Sequence, residues 1–466
     1  MADPKPVGEV LYIPHNGKEE KKYKSNFKSS LSQVIATMVE SLLVVALGTQ
    51  CVMPTIVLGA LHNKPNEALN LNDSEAAWFG SILFLCQPIG SLASGFLCEN
   101  FGRRGSMSLI NVPFITGWIM LYFASSVNGL FAAALAMGAG IGFCEAPIAA
   151  YLGEIGEPHL RGSLFAIMIA ATSFGYLSTY LLGSIMHWRT YALVNLVYPV
   201  TCMILFTQIP ESPVWLVHKG RLKEAQKALG WLRGFLEPHQ VQEEFDRMVK
   251  HIESSQSSNK RTFESEECKY LQFRSLVSDE SLAEGSRDSL LSRLSGLKDP
   301  KLYLPLRLVF VTFLFTQCMS LQAFKPYLVE ILESFNFPVH QRWVLVIIGC
   351  MSFVGSTMPL FIFRFTGEKG KLILWRSFAT GVCGAWAYGV TFVTARLFLP
   401  MEKFLSLSGM FFLYGGIGVA GFLYFFFFLP ETEGKTLETI ESYFTPYHDK
   451  KEKFAQPKKI LPTDHK

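Results

Sequence analysis

Apolar runs about as long as a membrane-crossing helix recur along almost the whole of this 466-residue chain. A helix needs roughly 20 apolar residues to cross the hydrocarbon core of a bilayer. Lipid offers no hydrogen-bond partner to backbone N–H and C=O groups, so such runs are stable there only as helices. Half of the residues are hydrophobic and only 17% are charged, which agrees with this interpretation. The predicted spans are 31–60, 76–98, 106–124, 128–153, 162–184, 190–209, 305–333, 341–365, 375–399 and 405–429.

The sequence therefore predicts an all-α polytopic membrane protein with about ten transmembrane helices, six before a polar, serine-rich region and four after it. In that region, Leu222 to Leu232 carry apolar residues at helical spacing, which predicts an amphipathic helix. The predicted parts are a cytosolic tail over 1–30, a six-helix bundle over 31–209, a cytosolic loop with short helices over 210–304, a four-helix bundle over 305–429 and a cytosolic tail over 430–466.

The positive charges predict the orientation in the membrane. Arg103 and Arg104 follow the second span, Arg161 follows the fourth, and a basic stretch from Lys219 follows the sixth. Lys and Arg accumulate in cytosolic loops, so these segments and the Lys-rich start are expected in the cytosol. An even number of spans returns the C-terminal tail to the same side. We therefore expect a multi-pass protein of the plasma membrane with both termini in the cytosol.

Acidic and basic residues occur together at the predicted cytosolic helix ends. ENFGRR occupies 99–104, Glu154 and Arg161 lie in the stretch 150–163, and PESPVW occupies 210–215. Arginine forks suit carboxylate partners. A simpler interpretation is that these are solvated residues of the positive-inside pattern. The combination of the three motifs, each after an even-numbered span, favours a functional role.

These motifs resemble those of the sugar porters of the major facilitator superfamily. The matching stretches are 99–104, 150–163, 210–215 and PETEGK at 430–435. A further resemblance, to the insect facilitated trehalose transporter-like branch, rests on WFGS at 78–81, QPIG at 87–90 and WLRG at 231–234. The resemblance implies twelve helices in two pseudo-symmetric halves, a central sugar site and cytosolic ion pairs that close the outward-open state. The implied gate charges are Glu99, Arg103, Arg104, Glu154, Arg161, Glu211, Arg376 and Glu431.

The second half departs from the family pattern. RFTGEKGK at 364–371 resembles a degraded copy of the loop after helix two, and WRSFAT at 375–380 follows it at once. In the family, an Arg-Gly like Arg376-Ser377 opens helix eleven, after two further helices. The resemblance therefore implies that two helices are absent and that the last four spans correspond to family helices seven, eight, eleven and twelve.

The family binds sugar through amide side chains, because each amide carries both donors and an acceptor for hydroxyl groups. The family's helix-five glutamine falls at Ile169, which cannot form a hydrogen bond. Amides of membrane helices also bind neighbouring helices, and this alternative stays open. The candidate sugar contacts are Gln317, Gln322, Thr172, Ser173 and Trp386.

Ionisable residues inside predicted spans are candidates for function, because charge is costly in lipid. Glu145 is either a possible proton site facing the cavity or a protonated structural residue, and Glu40 lies at a similar depth. Lys325 is expected to reach the outer surface or to pair with Glu330 or Glu333.

Asn72 starts the glycosylation acceptor motif Asn72-Asp73-Ser74, on the predicted outer side of the membrane. The alternative is that Asp73 and Ser74 form the N-cap of the second span. Both interpretations use the same short stretch, and capping is favoured because acceptor motifs are frequent by chance.

The predicted function is facilitative transport of a small-molecule sugar, trehalose or a hexose, across the lipid bilayer by alternating access. No covalent chemistry, cofactor, metal or nucleic-acid partner is expected, so the chain is not predicted to be an enzyme. The Gly-rich run 138–142 lies inside a span, where small residues permit close helix packing. The alternatives are a transport-inactive shortened form with an interaction role and a proton-coupled sugar symporter. The oligomeric state stays open.

Overall fold

The computed structural model describes residues 27–65, 69–157, 160–250, 252–253, 300–319, 322–335, 338–366 and 377–428. For 300–306, 359–366 and 377–383 it describes the backbone, and for the other residues of these ranges it describes the side chains as well. Within these ranges the chain is helical and forms no named β-strand. The same ranges contain seven helices that are long and apolar enough to cross a membrane. They are Phe27–Leu61, Asp73–Phe101, Arg103–Phe123, Val127–Ile155, Arg161–Ile185, Gln341–Met358 and Gly384–Phe427.

Several consecutive helices of the first half are separated by a single residue. Helix α1 stops one residue before α2, because Pro54 in the first turn of α2 has no N–H and its ring clashes with a carbonyl of the preceding turn. Gly102 alone separates α3 from α4, and its φ of 82° permits the sharp turn. The helices are α1 Phe27–Cys51, α2 Met53–Leu61, α3 Asp73–Phe101, α4 Arg103–Phe123, α5 Val127–Phe143, α6 Glu145–Ile155, α7 Arg161–Ile185, α8 Trp188–Asn195 and α9 Val197–Leu205.

The loop after α9 begins with a small helical unit. It contains α10 Pro213–His218, α11 Leu222–Leu232, a 3₁₀ turn Pro238–Val241 and a helical segment over 242–250. The bounds of α11 are those expected from its apolar spacing, so the predicted amphipathic helix is confirmed. Ala225, Leu229 and Leu232 of this helix are buried, whereas Leu222 is exposed.

The second half begins with a span that is interrupted by irregular structure. It contains α12 Pro300–Cys318, a 3₁₀ turn Lys325–Tyr327, α13 Leu328–Ser334, α14 Gln341–Thr366 and α15 Ser377–Phe428. Helix α15 is broken at Ser406, whose φ of 62° is outside the helical range, so it covers two predicted spans. The predicted span 190–209 is likewise divided between α8 and α9. The number of crossings stays a prediction.

The contacts between the two halves bear on the predicted loss of two helices. Helix α7, the fifth span of the first half, packs against α14, the second span of the other half. If a pseudo-two-fold axis relates the two halves, this contact must have a counterpart with the roles of the halves exchanged. The second span of the first half, α3, must then pack against the fifth span of the second half. Helix α3 packs against the first part of α15, with Trp78 near Phe392 and Asp73 bonded to Lys403. This arrangement supports the prediction that the third and fourth spans of the second half are absent.

Candidate functional site

On the predicted cytosolic side, a charge network joins the ends of α4, α6 and α10. This cytosolic charge network is formed by Arg103, Arg104, Glu154, Glu211 and Ser212. The Arg103 guanidinium donates to Glu154 Oε1 through Nε and Nη2, at 3.1 and 2.7 Å. Only 14% and 17% of these two side chains are exposed. The Ser212 hydroxyl donates to the other Glu154 oxygen. A largely buried ion pair of this kind depends on both partners, because either charge alone is costly in that environment.

Glu211 caps the first turn of α4. Its Oε1 accepts the backbone N–H groups of Arg103 and Arg104 at 2.9 and 3.0 Å, and its Oε2 accepts that of Gly105 at 3.4 Å. The first N–H groups of a helix have no intrahelical partner, and a carboxylate there also interacts favourably with the helix dipole. A Cβ at position 102 would collide with this carboxylate, so the turn requires glycine.

A second contact on the predicted cytosolic side, centred on Glu157, holds the start of α1. Glu157 Oε1 accepts from Ser29 Oγ at 2.6 Å and from Gln33 Nε2 at 2.9 Å. Arg233 Nε lies 3.7 Å from the same oxygen, and Arg233 Nη2 donates to Glu244 at 2.6 Å. This contact ties the loop after α6, the start of α1 and the small helical unit together.

The breaks in two membrane helices meet at a central cluster of Tyr176, Gln322 and Lys325. Thr55, beside the α1–α2 break, donates through Oγ1 to the Lys325 carbonyl at 2.7 Å. Lys325 Nζ donates to Gln322 Oε1 at 3.1 Å and lies 4.4 Å from the centroid of the Tyr176 ring. The Tyr176 and Gln322 side chains are also hydrogen-bonded. The cluster brings α7 of the first half against the interrupted span of the second.

The other predicted sugar contacts have neighbours of their own. Gln317 Oε1 accepts from Thr391 Oγ1 at 3.1 Å, and Trp386 Nε1 donates to the Phe310 carbonyl at 3.0 Å. Thr172 donates to the Met168 carbonyl one turn earlier, at 3.1 Å. Ser173 is buried, with 8% of its surface exposed. Gln317 and Trp386 therefore link α12 to α15.

Two carboxyl groups lie inside the helical bundle. Glu145, at the start of α6, accepts a hydrogen bond from the Tyr388 hydroxyl of α15, so it connects the two halves. Glu40 of α1 is fully buried, and neither of its oxygens has a hydrogen-bond partner among the residues described here. An ionised carboxylate would be very costly in such surroundings.

On the predicted outer side, an external charge cluster of His62, Asp73, Glu330 and Lys403 joins the halves. His62, which is 8% exposed, places Nδ1 2.7 Å from Glu330 Oε1 and Nε2 3.0 Å from Asp73 Oδ1. Lys403 donates to the other Asp73 oxygen. Beside this cluster, a cavity of about 640 Å³ is lined by the ends of α2, α7 and α13 and by the start of α14.

The comparison with known families decides the class of the protein. The model of the family described as sugar (and other) transporter matches residues 52–375 and 373–444. The chain belongs to this sugar transporter family. The two matched segments meet at 373–375, where the sequence predicts that two helices are absent.

Relatives of this sugar transporter family member include insect proteins. The chain is 26% identical over 474 residues to the facilitated trehalose transporter Tret1 of Drosophila grimshawi, covering 88% of this chain and 47% of that protein. It is 24% identical over 473 residues to Tret1 of Polypedilum vanderplanki, covering 88% of this chain and 87% of that protein. The predicted resemblance to the insect branch is confirmed.

Solved structures establish the fold of this family member. The partially occluded inward-open form of the xylose transporter XylE from E. coli aligns with a TM-score of 0.61 at 16% identity, covering 86% of this chain and 100% of that chain. The same protein bound to 6-bromo-6-deoxy-D-glucose, described as a major facilitator superfamily proton:xylose symporter, aligns at 0.53, covering 90% and 100%. The predicted all-α major facilitator fold is confirmed, and the chain is a transporter rather than an enzyme.

The transporter's predicted gate charges are only partly brought together. Glu99 is exposed and takes part through its carbonyl, which accepts from Trp215 Nε1 at 3.0 Å. Arg161 donates to the Gly156 carbonyl of its own loop at 3.0 Å. Arg376 and Glu431 lie outside the described residues. The network therefore combines α4 and α6 of the first half with α10 of the loop that follows.

Two predictions about individual residues are wrong. Among the described residues Lys325 pairs with neither Glu330 nor Glu333, because its ammonium is held by Gln322 and Tyr176. The N-cap of α3 is Asn72 itself, whose side chain accepts from Glu75 N at 2.9 Å, rather than Asp73 or Ser74. Asp73 is already helical and its carboxylate contacts His62. Glycosylation of the exposed Asn72 stays a prediction.

Sequence reasoning missed several residues of the transporter. Glu157 lies in the same loop as Glu154, but it is not one of the residues that the motif marks. His62 is a lone histidine after an apolar run, and nothing in the sequence indicates its two carboxylate partners. Tyr176, Tyr388 and Thr391 are ordinary residues of apolar spans, so only their contacts identify them.

The external charge cluster predicts a pH-dependent stability. Burial lowers the pKa of His62, but the hydrogen bonds and charges of Glu330 and Asp73 outweigh it and raise that pKa above 6.5. The stabilising contribution is therefore fully present below the unfolded-state pKa and is lost as pH rises through the folded-state pKa. We expect the melting-temperature difference between wild type and His62→Gln to be larger at about pH 5.5 than at about pH 8.5.

The control for this prediction is His239→Gln. The His239 side chain is 73% exposed beside Glu237, so its removal is expected to leave the melting temperature unchanged at both pH values. A His62→Gln difference that is equal at both pH values contradicts the prediction. The measurement is thermal unfolding of the purified transporter in detergent. Glu402 and Lys403 are the other charged groups near the cluster.

Proposed function

We propose that this transporter moves a sugar, trehalose or a hexose, passively across the plasma membrane by alternating access, with both termini in the cytosol. The observation that carries the proposal is the meeting of two broken helices, α1–α2 and α12–α13, at polar side chains of the central cluster. Discontinuous helices that meet near the midplane typically form the substrate sites of such carriers. Membership of the sugar transporter family and the similarity to trehalose transporters support the same substrate class.

The rocking of two halves that this mechanism requires is compatible with the contacts between them. The external charge cluster joins the halves on the predicted outer side, Thr55 joins them at the central cluster, and Glu145 joins them through Tyr388. These contacts have to open and close as the site alternates between the two sides of the membrane. The cytosolic charge network joins α4 and α6 of the first half to the start of the loop that follows it.

Uptake of radiolabelled trehalose and glucose into oocytes that express the chain tests this proposal. Uptake above that of water-injected oocytes, saturable with sugar concentration, is the expected result. Uptake at the level of those controls despite surface expression contradicts it and favours the transport-inactive alternative. Glu145, a carboxyl at the contact between the halves, favours proton symport as a second candidate. Uptake that increases with an inward proton gradient supports that candidate.

Replacement of Gln317 by alanine is expected to raise the sugar concentration for half-maximal uptake about fivefold, the cost of one lost hydrogen bond to a hydroxyl. Gln317 also accepts from Thr391, so a purely structural role needs a separate test. Thr391→Val removes that contact without removing the amide, and it is expected to leave the affinity unchanged. The matched control is Gln208→Ala, at an exposed glutamine after α9. Equal losses of affinity for Gln317→Ala and Thr391→Val contradict a sugar contact.

A further inference from the structure

Lys325 places a positive charge at the proposed substrate site. It lies in the 3₁₀ turn between α12 and α13, at the point where the interrupted span meets α1–α2 and α7. Its carbonyl is held by Thr55 at 2.7 Å, so the backbone position is fixed by the first half of the molecule. The side chain is only partly exposed. The positive charge of Lys325 therefore belongs to the proposed site rather than to the surface of the protein.

The ammonium group retains capacity to bind a ligand. Of its three N–H donors, one is used by Gln322 Oε1 at 3.1 Å, and the Tyr176 ring covers one side with its centroid 4.4 Å away. Within the described part of the chain, no carboxylate forms a salt bridge with Lys325. Glu330, the acidic residue nearest to Lys325 in the chain, is bonded to His62 instead. The amide and the ring orient the charge but do not neutralise it.

A charge that is partly removed from water and lacks a counter-ion is costly, and the cost falls when an anion binds. One lysine balances a single negative charge. A carboxylate carries one such charge at neutral pH, whereas a phosphate monoester carries close to two. The adjacent Gln322 amide suits the hydroxyl groups of the same ligand. The arrangement therefore matches a sugar that bears a carboxylate better than a sugar phosphate.

We infer that Lys325 makes the site selective for hexose-sized sugars that carry a carboxylate, such as hexuronates, over neutral hexoses. This inference rests on the proposed sugar transport. Lys325 acts as a specificity-determining residue: its ammonium binds the carboxylate, and Tyr176 and Gln322 position it. If Lys325 were purely structural and only held the 3₁₀ turn against α7, sugar uptake would not depend on the charge of the ligand.

The test is uptake of radiolabelled glucose and glucuronate into proteoliposomes that contain the full chain, with unlabelled glucuronate and glucose 6-phosphate as competitors. Wild type is expected to take up glucuronate in preference to glucose, and glucuronate is expected to compete better than the phosphate. Lys325→Met is expected to lower glucuronate uptake about tenfold or more while glucose uptake changes less than about twofold, as for loss of a charged hydrogen bond. Lys325→Arg, which keeps the charge, is expected to keep the preference.

The control is Lys223→Met. Lys223 is an exposed residue of α11, so this substitution removes the same charge far from the site. Glucose uptake by wild type that glucuronate does not inhibit overturns the inference while leaving sugar transport intact. Equal loss of both substrates in Lys325→Met, with normal surface yield, also overturns it and indicates a structural role. Absence of uptake of every sugar by wild type refutes the proposed function itself. Competition on wild type needs no variant, so misfolding of Lys325→Met leaves the test decisive.

Discussion

Glu154→Ala is expected to lower the free energy of unfolding by about 3–5 kcal/mol, the usual cost of removing one partner of a buried ion pair. The change leaves the Arg103 guanidinium without its carboxylate and removes the acceptor of the Ser212 hydroxyl. Because the Arg103 side chain is only 14% exposed, water cannot fully replace the lost partner. The measurement is thermal unfolding in detergent, together with the yield of folded transporter.

The matched control is Glu224→Ala, which breaks the exposed pair of Arg221 and Glu224 on the same side of the molecule. These side chains are 50% and 55% exposed, so the expected loss is below about 1 kcal/mol. Removing both partners, Arg103→Ala with Glu154→Ala, is expected to restore part of the stability, since no unpaired charge remains. Equal effects of Glu154→Ala and Glu224→Ala contradict the view that burial makes this pair important.

Gly90→Ala is expected to destabilise the first half by about 1–3 kcal/mol or more, through overpacking between α3 and α5. A Cβ at this position would lie 2.5 Å from the Ala139 carbonyl oxygen and 3.0 Å from the Gly142 Cα. Both obstacles are backbone atoms, so relief requires the two helices to separate. Lipid provides no hydrophobic force between helices, and their association depends on such close packing.

Gly95→Ala provides a control in the same helix. No atom lies within 4 Å of a Cβ built at Gly95, so the added methyl group meets no obstacle. Alanine is the better helix former by about 1 kcal/mol, and the variant is expected to be as stable as wild type or slightly more stable. Thermal unfolding of both variants is the measurement. A Gly90→Ala protein as stable as Gly95→Ala would contradict the role assigned to this contact.

The motifs predicted which charges matter at the cytosolic side but not how they pair. Glu154 and Arg161 share one loop, and Arg103 and Arg104 share another, so several pairs were equally compatible with the sequence. In the structure Glu154 binds Arg103, whereas Arg161 binds a carbonyl of its own loop and Glu211 caps the backbone of α4. The choice depends on how α4, α6 and α10 cross, which no local pattern encodes.

Lys325 shows why depth estimates from the sequence fail at broken helices. A rise of about 1.5 Å per residue from the start of α12 places Lys325 near the outer surface. The α-helix stops at Cys318 and Lys325 lies in a separate 3₁₀ turn, so the helical rise counted along α12 does not extend to Lys325. In the structure its ammonium contacts the Tyr176 ring of α7. Small deviations of the backbone decide between a surface residue and a site residue.

The sequence by itself determined the class of fold, the cytosolic motifs and the amphipathic helix α11, because helix formation in lipid and at its surface depends on local composition and spacing. Only the tertiary structure joined His62 to Glu330, Glu157 to Ser29, and Lys325 to Tyr176. It alone also paired α3 with α15 and α7 with α14. These contacts join residues far apart in the chain, and their geometry follows from how the helices pack rather than from any local pattern.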